Sequence, residues 1–216
     1  FAHEYRDATL PEQGSGEYDP GFMVTRLGAK INRALIAGTI DSSERRESES
    51  GQSFRFNLID VTGTHRVEVS PFNPELHPEA EEIHARFERG DRFIMMVVGK
   101  QRSFTTEDGG VFTSYNAQEM REINSQIYAE WLAETADATL RRIDAYEKAL
   151  TAEQSMAGFR GAGIPEDLVD GMLLSRAHYP DFESEVYMLD VLQALNAALG
   201  RSCLLYTSDA ADDAGS

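Results

Sequence analysis

A small five-stranded β-barrel followed by an all-helical segment, an α+β architecture, is the fold class this sequence predicts. Three observations carry it. Apolar and polar residues alternate with period 2 between Phe54 and Ser70, a continuous apolar run at Phe93 to Val98 leads towards a glycine-rich turn, and spacing changes from strand-like to helix-like at Ser125. With 216 residues, 41% hydrophobic and 26% charged, the chain suffices for one such domain and a smaller appendage, and it excludes disorder throughout.

Residues 1–23 read as a short N-terminal segment and linker, because Glu12 to Gly21 is rich in Gly, Ser and Pro. Ile31 to Ile40 is apolar and compatible with a first strand, and the polar tract Asp41 to Ser53 that follows reads as a loop. Phe54 to Asp60 sets Phe54, Phe56 and Leu58 against Arg55, Asn57 and Ile59, a strand with one buried face. Asp60-Val-Thr-Gly63 turns the chain into a second alternating run, Thr64 to Ser70. Pro78 to Arg89 is a short amphipathic helix stopped by Gly90. Phe93 to Val98 and Val111 to Met120 are two further strands joined through Asp108-Gly109-Gly110. Three strands, a helix and two strands over residues 24–124 is the element order of the OB barrel. From Ser125 to Leu150 the spacing of Ile127, Trp131, Leu132, Leu140 and Ile143 marks one face of a long helix. A break at Ser155 to Gly163 precedes two more helices, Ile164 to Ala177 and Phe182 to Leu199, which complete a helical segment over 125–200.

Charge is distributed unevenly. The chain carries 20 Lys and Arg against 37 Asp and Glu, a net charge of −17. Residues 24–124 hold 13 of the cations against 16 acids, whereas residues 125–200 hold 5 against 13. Only the barrel segment can therefore offer a surface to a phosphate backbone. No apolar run reaches the roughly 18 residues of a membrane span. No basic-then-apolar leader is present, so a cytoplasmic protein without a membrane partner is expected. The lone cysteine, Cys203, excludes an intramolecular disulfide and a cysteine-based metal cage. It falls within residues 203–212, CLLYTSDAAD, which resemble an in-frame translation of a sequencing-library adapter. Residues 201–216 are accordingly read as an artefact tail and set aside.

OB barrels bind oligonucleotides on their second and third strands and between the loops joining strands one to two and four to five. Those positions hold Arg45 and Arg46 in the first loop, Arg55 and Arg66 on the outward strand face, and Lys100, Arg102 and Phe104 beside the second loop. Tyr115 and Phe112 are placed to add stacking. Phe54, Phe56, Phe87 and Phe93 are assigned to the core, since alternation turns them with Leu58 and Val67. His77, Glu81 and His84 share one helical face but lack a fourth ligand, so a solvated surface is favoured over a metal site. The glycines at 158, 161 and 163 match neither a dinucleotide fingerprint nor a phosphate loop. No arrangement points to catalysis, and no cofactor is expected.

The segments TRLGAKINRALIAGTI (Thr25 to Ile40), DVTGT (Asp60 to Thr64), FIMMVVGKQRSF (Phe93 to Phe104) and EWLAETADATLRRI (Glu130 to Ile143) together resemble the archaeal family of replication protein A associated proteins. The resemblance spans roughly residues 25–143. It implies an OB fold followed by helices, and a non-enzymatic accessory role with replication protein A subunits on single-stranded DNA, in replication and repair. The strand after DVTGT, THRVEVSPFNPE, departs from the family in being more charged and less aromatic. By analogy with the helical bundle that joins replication protein A subunits, Ile127, Trp131, Leu140 and Ile143 face either a partner helix in a hetero-oligomer or the chain's own C-terminal helices.

Overall fold

The computed structural model describes residues 1–13 and 21–200. Residues 201–216, the tail read above as an artefact, and most of the linker expected at Glu12 to Gly21 lie outside the described residues. The chain opens with helix α1 (Ala2–Arg6) and strands β1 (Leu10–Glu12), β2 (Phe22–Val24) and β3 (Lys30–Ile31), which pair antiparallel in a small sheet that period-2 reading missed because each strand is too short to alternate. Five longer strands follow: β4 (Arg33–Ser48), β5 (Gly51–Asp60), β6 (Gly63–Val69), β7 (Ile94–Thr105) and β8 (Val111–Ile123). They close a barrel in the order β4-β5-β6-β8-β7, with β6 and β8 parallel and the other neighbours antiparallel. Helix α2 (His77–Glu88) lies between β6 and β7 in sequence. This is the five-stranded OB-type barrel, and closure removes the edges that an open sheet would expose.

One expectation is overturned. The tract read as a loop, Asp41 to Ser53, is strand almost throughout: β4 runs on to Ser48, and only Glu49 and Ser50 separate it from β5. The register continues from Arg45 opposite Phe54 to Ser48 opposite Gly51. The hairpin stands clear of the barrel with its residues from Glu44 to Gly51 exposed, so neither face is buried and no apolar alternation marks it. Ladder hydrogen bonds and cross-strand pairs form it instead.

Inside the barrel Phe54, Phe56, Leu58, Val67, Val69, Met95, Val97 and Met120 meet Ala80 and Ile83 of α2. Phe93 joins this core and Phe87 packs at its margin. A second core lies in the helices α3 (Ser125–Thr151), α4 (Met156–Gly161), α5 (Glu166–His178) and α6 (Glu185–Ala198), with α4 occupying the expected break. Asn124 caps α3 by accepting a hydrogen bond from the Ile127 N–H at 2.9 Å. The helices pack against the outer side of the barrel, where Ala37 and Met96 belong to the helical core and the Trp131 indole donates to the Leu35 carbonyl at 3.1 Å. Gly171 permits one close approach. A Cβ there would stand 2.0 Å from the Gly28 carbonyl oxygen, so only glycine lets α5 lie against the turn before β3.

Candidate nucleic-acid interface

The outer face of the barrel is built by alternation, with Lys100, Arg102 and Phe104 turned outward on β7 and Phe112, Ser114 and Asn116 on β8. Register aligns them in rows. Phe104 is opposite Phe112, Arg102 opposite Ser114, and Lys100 opposite Asn116 on one side and Arg33 of β4 on the other. The parallel pairing of Val67 with Tyr115 brings β6 alongside, and the Arg66 guanidinium sits 6.0 Å from the centre of the Phe112 ring. Phe104 and Phe112 are 66% and 52% exposed, unusual for phenylalanines with a core available beneath them. Arg33, Lys100 and Arg102 meet no carboxylate within ion-pairing distance among the described residues. Four cations and two aromatic rings thus share one exposed surface over β6, β8, β7 and the start of β4. Glu107 and Asp108 cap its far end at the tip of the hairpin, where Asp108 accepts a hydrogen bond from Thr106.

The other expected positions are placed differently. Arg45 pairs with Glu47 at 2.9 Å and Glu81 at 3.5 Å, and Arg46 with Glu44 at 2.6 Å. Arg55 pairs with Glu68 across the β5–β6 ladder at 2.7 Å. These three arginines are neutralised by neighbours on their own or adjacent strands. Tyr115 is a correction: it points into the barrel, 2% exposed, and stacks on Tyr5 of α1 with ring centres 4.4 Å apart. A Cβ on Gly99 would stand 2.6 Å from the Tyr115 Cβ, so this glycine, diagonal to Tyr115 across the ladder, makes room for it. Burial pushes the Tyr115 phenol well above its ordinary range. A ring enclosed in this way offers no platform to a base. Arg33, conversely, carries no sign in the sequence, because it lies inside a run read as an apolar strand and only the β4–β7 register brings it beside Lys100.

The helical candidates divide too. Trp131 and Ile143 are buried in the chain's own helical core, at 6% and 3% exposure, which is the second of their two expected placements and not the partner helix. Trp131 is stacked on Tyr128 and meets the edge of Phe1. Ile127 and Leu140 are 40% and 37% exposed. His77 Nε2 lies 3.0 Å from the Ser70 carbonyl oxygen and His84 Nδ1 2.8 Å from Ser43 Oγ, so each ring has its own separate partner.

Beneath the interface, α1 ties the barrel to the helices. The Tyr5 hydroxyl donates to the Ser114 carbonyl at 2.9 Å, Glu4 pairs with Arg142 of α3 at 2.6 Å, and the Ala2 N–H donates to Asp60 at 2.9 Å. Asp60 also meets His65 Nε2 at 2.9 Å and accepts from the Thr62 and Gly63 N–H groups, which locks the β5–β6 turn. Burial lowers the His65 pKa below its ordinary value against the pull of Asp60, favouring a neutral ring. Burial is the largest influence on Asp60 and Glu4 and raises both, but His65, the N-terminus and the Ala2 N–H together hold Asp60 below its usual range, and Arg142, the N-terminus and Thr25 together do so for Glu4.

No family model and no curated protein matches the sequence. Among solved structures, the chain is similar to the mitochondrial single-stranded DNA-binding protein Rim1 of S. cerevisiae, at 13% identity over 44% of this chain and 97% of that one, with a TM-score of 0.33. It is similar to the OBody NL8, solved bound to hen egg-white lysozyme, at 13% identity over 43% of this chain and 93% of that one, with a TM-score of 0.32. A small single-stranded DNA-binding protein from Mycoplasma pneumoniae is also similar, at 14% identity over 44% of this chain and 93% of that one, with a TM-score of 0.28.

Proposed function

We propose that this chain is a non-catalytic accessory protein of a single-stranded DNA-binding complex of the replication protein A type, serving DNA replication and repair. Its barrel touches the strand directly through Arg66, Lys100, Arg102, Phe104 and Phe112, with Arg33 at the rim. The observation that carries this reading is the coincidence of unpaired cations and exposed rings on one barrel face, in a chain whose net charge is −17. Phosphates take the guanidinium and ammonium groups, and bases stack on the phenylalanines, which is how sequence-tolerant single-strand binding works. The resemblance over residues 25–143 supports archaeal replication protein A subunits as the partners in a hetero-oligomer, and residues 24–124 and 125–200 as the strand-binding and partner-binding parts.

A second reading, a protein adaptor whose barrel meets no nucleic acid, is favoured by one observation. Arg45, Arg46 and Arg55, on the hairpin and strands where OB barrels receive a ligand, are already ion-paired. Fluorescence anisotropy of a labelled oligo(dT), titrated with the full chain at low and high salt, separates the two. The first reading expects binding by the chain alone that falls steeply as salt rises. Absence of binding by the chain alone, with a supershift only when replication protein A is added, overturns it in favour of the adaptor.

A further inference from the structure

Helix α6 buries one face and exposes another. Tyr187, Val191 and Ala194 are packed in the helical core, while Leu189, Leu192, Leu195 and Leu199 are 56%, 50%, 38% and 68% exposed. Spacings of three and four residues set these leucines along one side of the helix, away from the buried face. Four exposed leucines in one row form a contiguous apolar surface that single scattered side chains do not.

The charge around them defines what fits. All five cations of residues 125–200 are committed: Arg141 to Asp167, Arg142 to Glu4, Lys148 to Asp144, Arg160 to Glu166 and Arg176 to Asp181. Glu183 and Glu185 stand at the start of α6 with no cation in ion-pairing distance among the described residues. Glu185 falls on the same side of the helix as the four leucines, and Ser184 beside it donates to Glu147 near the end of α3, so the start of α6 is acidic where the apolar row begins. A second copy of this face, or an anionic lipid surface, would bring like charge against it.

We propose that the leucine face of α6 docks a basic amphipathic helix of a partner protein, with apolar residues at helical spacing seated on Leu189, Leu192, Leu195 and Leu199 and Lys or Arg flanks meeting the unpaired carboxylates. This gives the partner-binding half of the proposed function its surface and rests on that half alone; contact with DNA is not required.

The probe is a labelled synthetic helix of leucine and lysine, with leucine at i, i+3, i+4 and i+7, beside a control in which every lysine is glutamate. Titrated with the full chain, the lysine helix binds and the glutamate helix does not. Changing Leu189, Leu192 and Leu199 to Ser alters no charge and weakens the lysine helix by about tenfold or more, because apolar anchors carry most of such an interface. Oligo(dT) anisotropy and the circular dichroism spectrum stay as in the parent. Should the triple variant fail to fold, Leu192→Ser alone carries the test through a smaller loss in the same direction. Equal binding by variant and parent, binding of the glutamate helix, or a dimer of the parent that the variant abolishes overturns the proposal. Loss of oligo(dT) binding by the parent overturns the DNA contact instead and leaves this face standing.

Discussion

The β4–β5 hairpin and the β7–β8 hairpin are both long, both reach an exposed tip, and both carry arginines, yet their charges face opposite circumstances. On the first, Arg45 and Arg46 are held by Glu47, Glu81 and Glu44 within the hairpin or on α2. On the second, Lys100 and Arg102 have no carboxylate in ion-pairing distance among the described residues and stand beside Phe104 and Phe112, with Arg66 leaning in from β6. A cation already neutralised by a neighbour releases few counterions when a phosphate arrives, so the number of arginines on a surface says less than the number left unpaired. Of the positions where OB barrels receive a ligand, the β4–β5 hairpin and β5 are locally neutralised here, and the unpaired cations among the described residues stand on β6, β7 and the start of β4.

The contrast can be broken most severely from inside. Tyr115 shares a strand with Phe112 but faces the core, so Tyr115→Ala is expected to cost about 3–5 kcal/mol of stability. Chemical denaturation measures this, and a loss under about 1 kcal/mol would place the ring outside the core. Phe104→Ala and Phe112→Ala test the outward side. Each is expected to weaken oligo(dT) binding by about 1–3 kcal/mol with little change in melting temperature, as removal of a stacking platform does. Unchanged anisotropy in the double variant would remove stacking from the mechanism.

Smaller effects come from the charges. Arg66→Ala and Arg102→Ala each remove one phosphate contact and should lower the slope of log affinity against log salt by about 0.7. A salt series over a fivefold range resolves that change. The smallest effect is expected on the other hairpin, where Arg45→Ala with Arg46→Ala should leave affinity within about twofold and stability within about 0.5 kcal/mol, since exposed ion pairs contribute little. A large loss there would mean that the pairs open on binding, and would move the ligand onto the β4–β5 hairpin.

How much was legible beforehand follows from what each residue depends on. Phe54, Phe56 and Leu58 declare their strand because one barrel face is dry and the other wet. Residues 42–50 give no such sign, because both faces of their hairpin are wet and pairing alone makes them strand. The long helix α3 was visible to within a residue of its end, since 3.6-residue spacing accumulates over seven turns. Which of its apolar residues meet a partner was not. Trp131 and Ile143 show the same spacing as Ile127 and Leu140 but are covered by Phe1, β4 and the later helices.

Local pattern by itself determined the element order of the barrel, its inward set, the helical texture after Asn124 and the concentration of cations in residues 24–124. These depend on neighbours one to four positions away. Tertiary structure decided which cations are free, that Arg33 joins Lys100, that Tyr115 is enclosed beneath Tyr5, and that α6 keeps a leucine face uncovered. Each of those depends on a partner far away in sequence, and the free energy of a charge or a ring is set by what stands beside it in space.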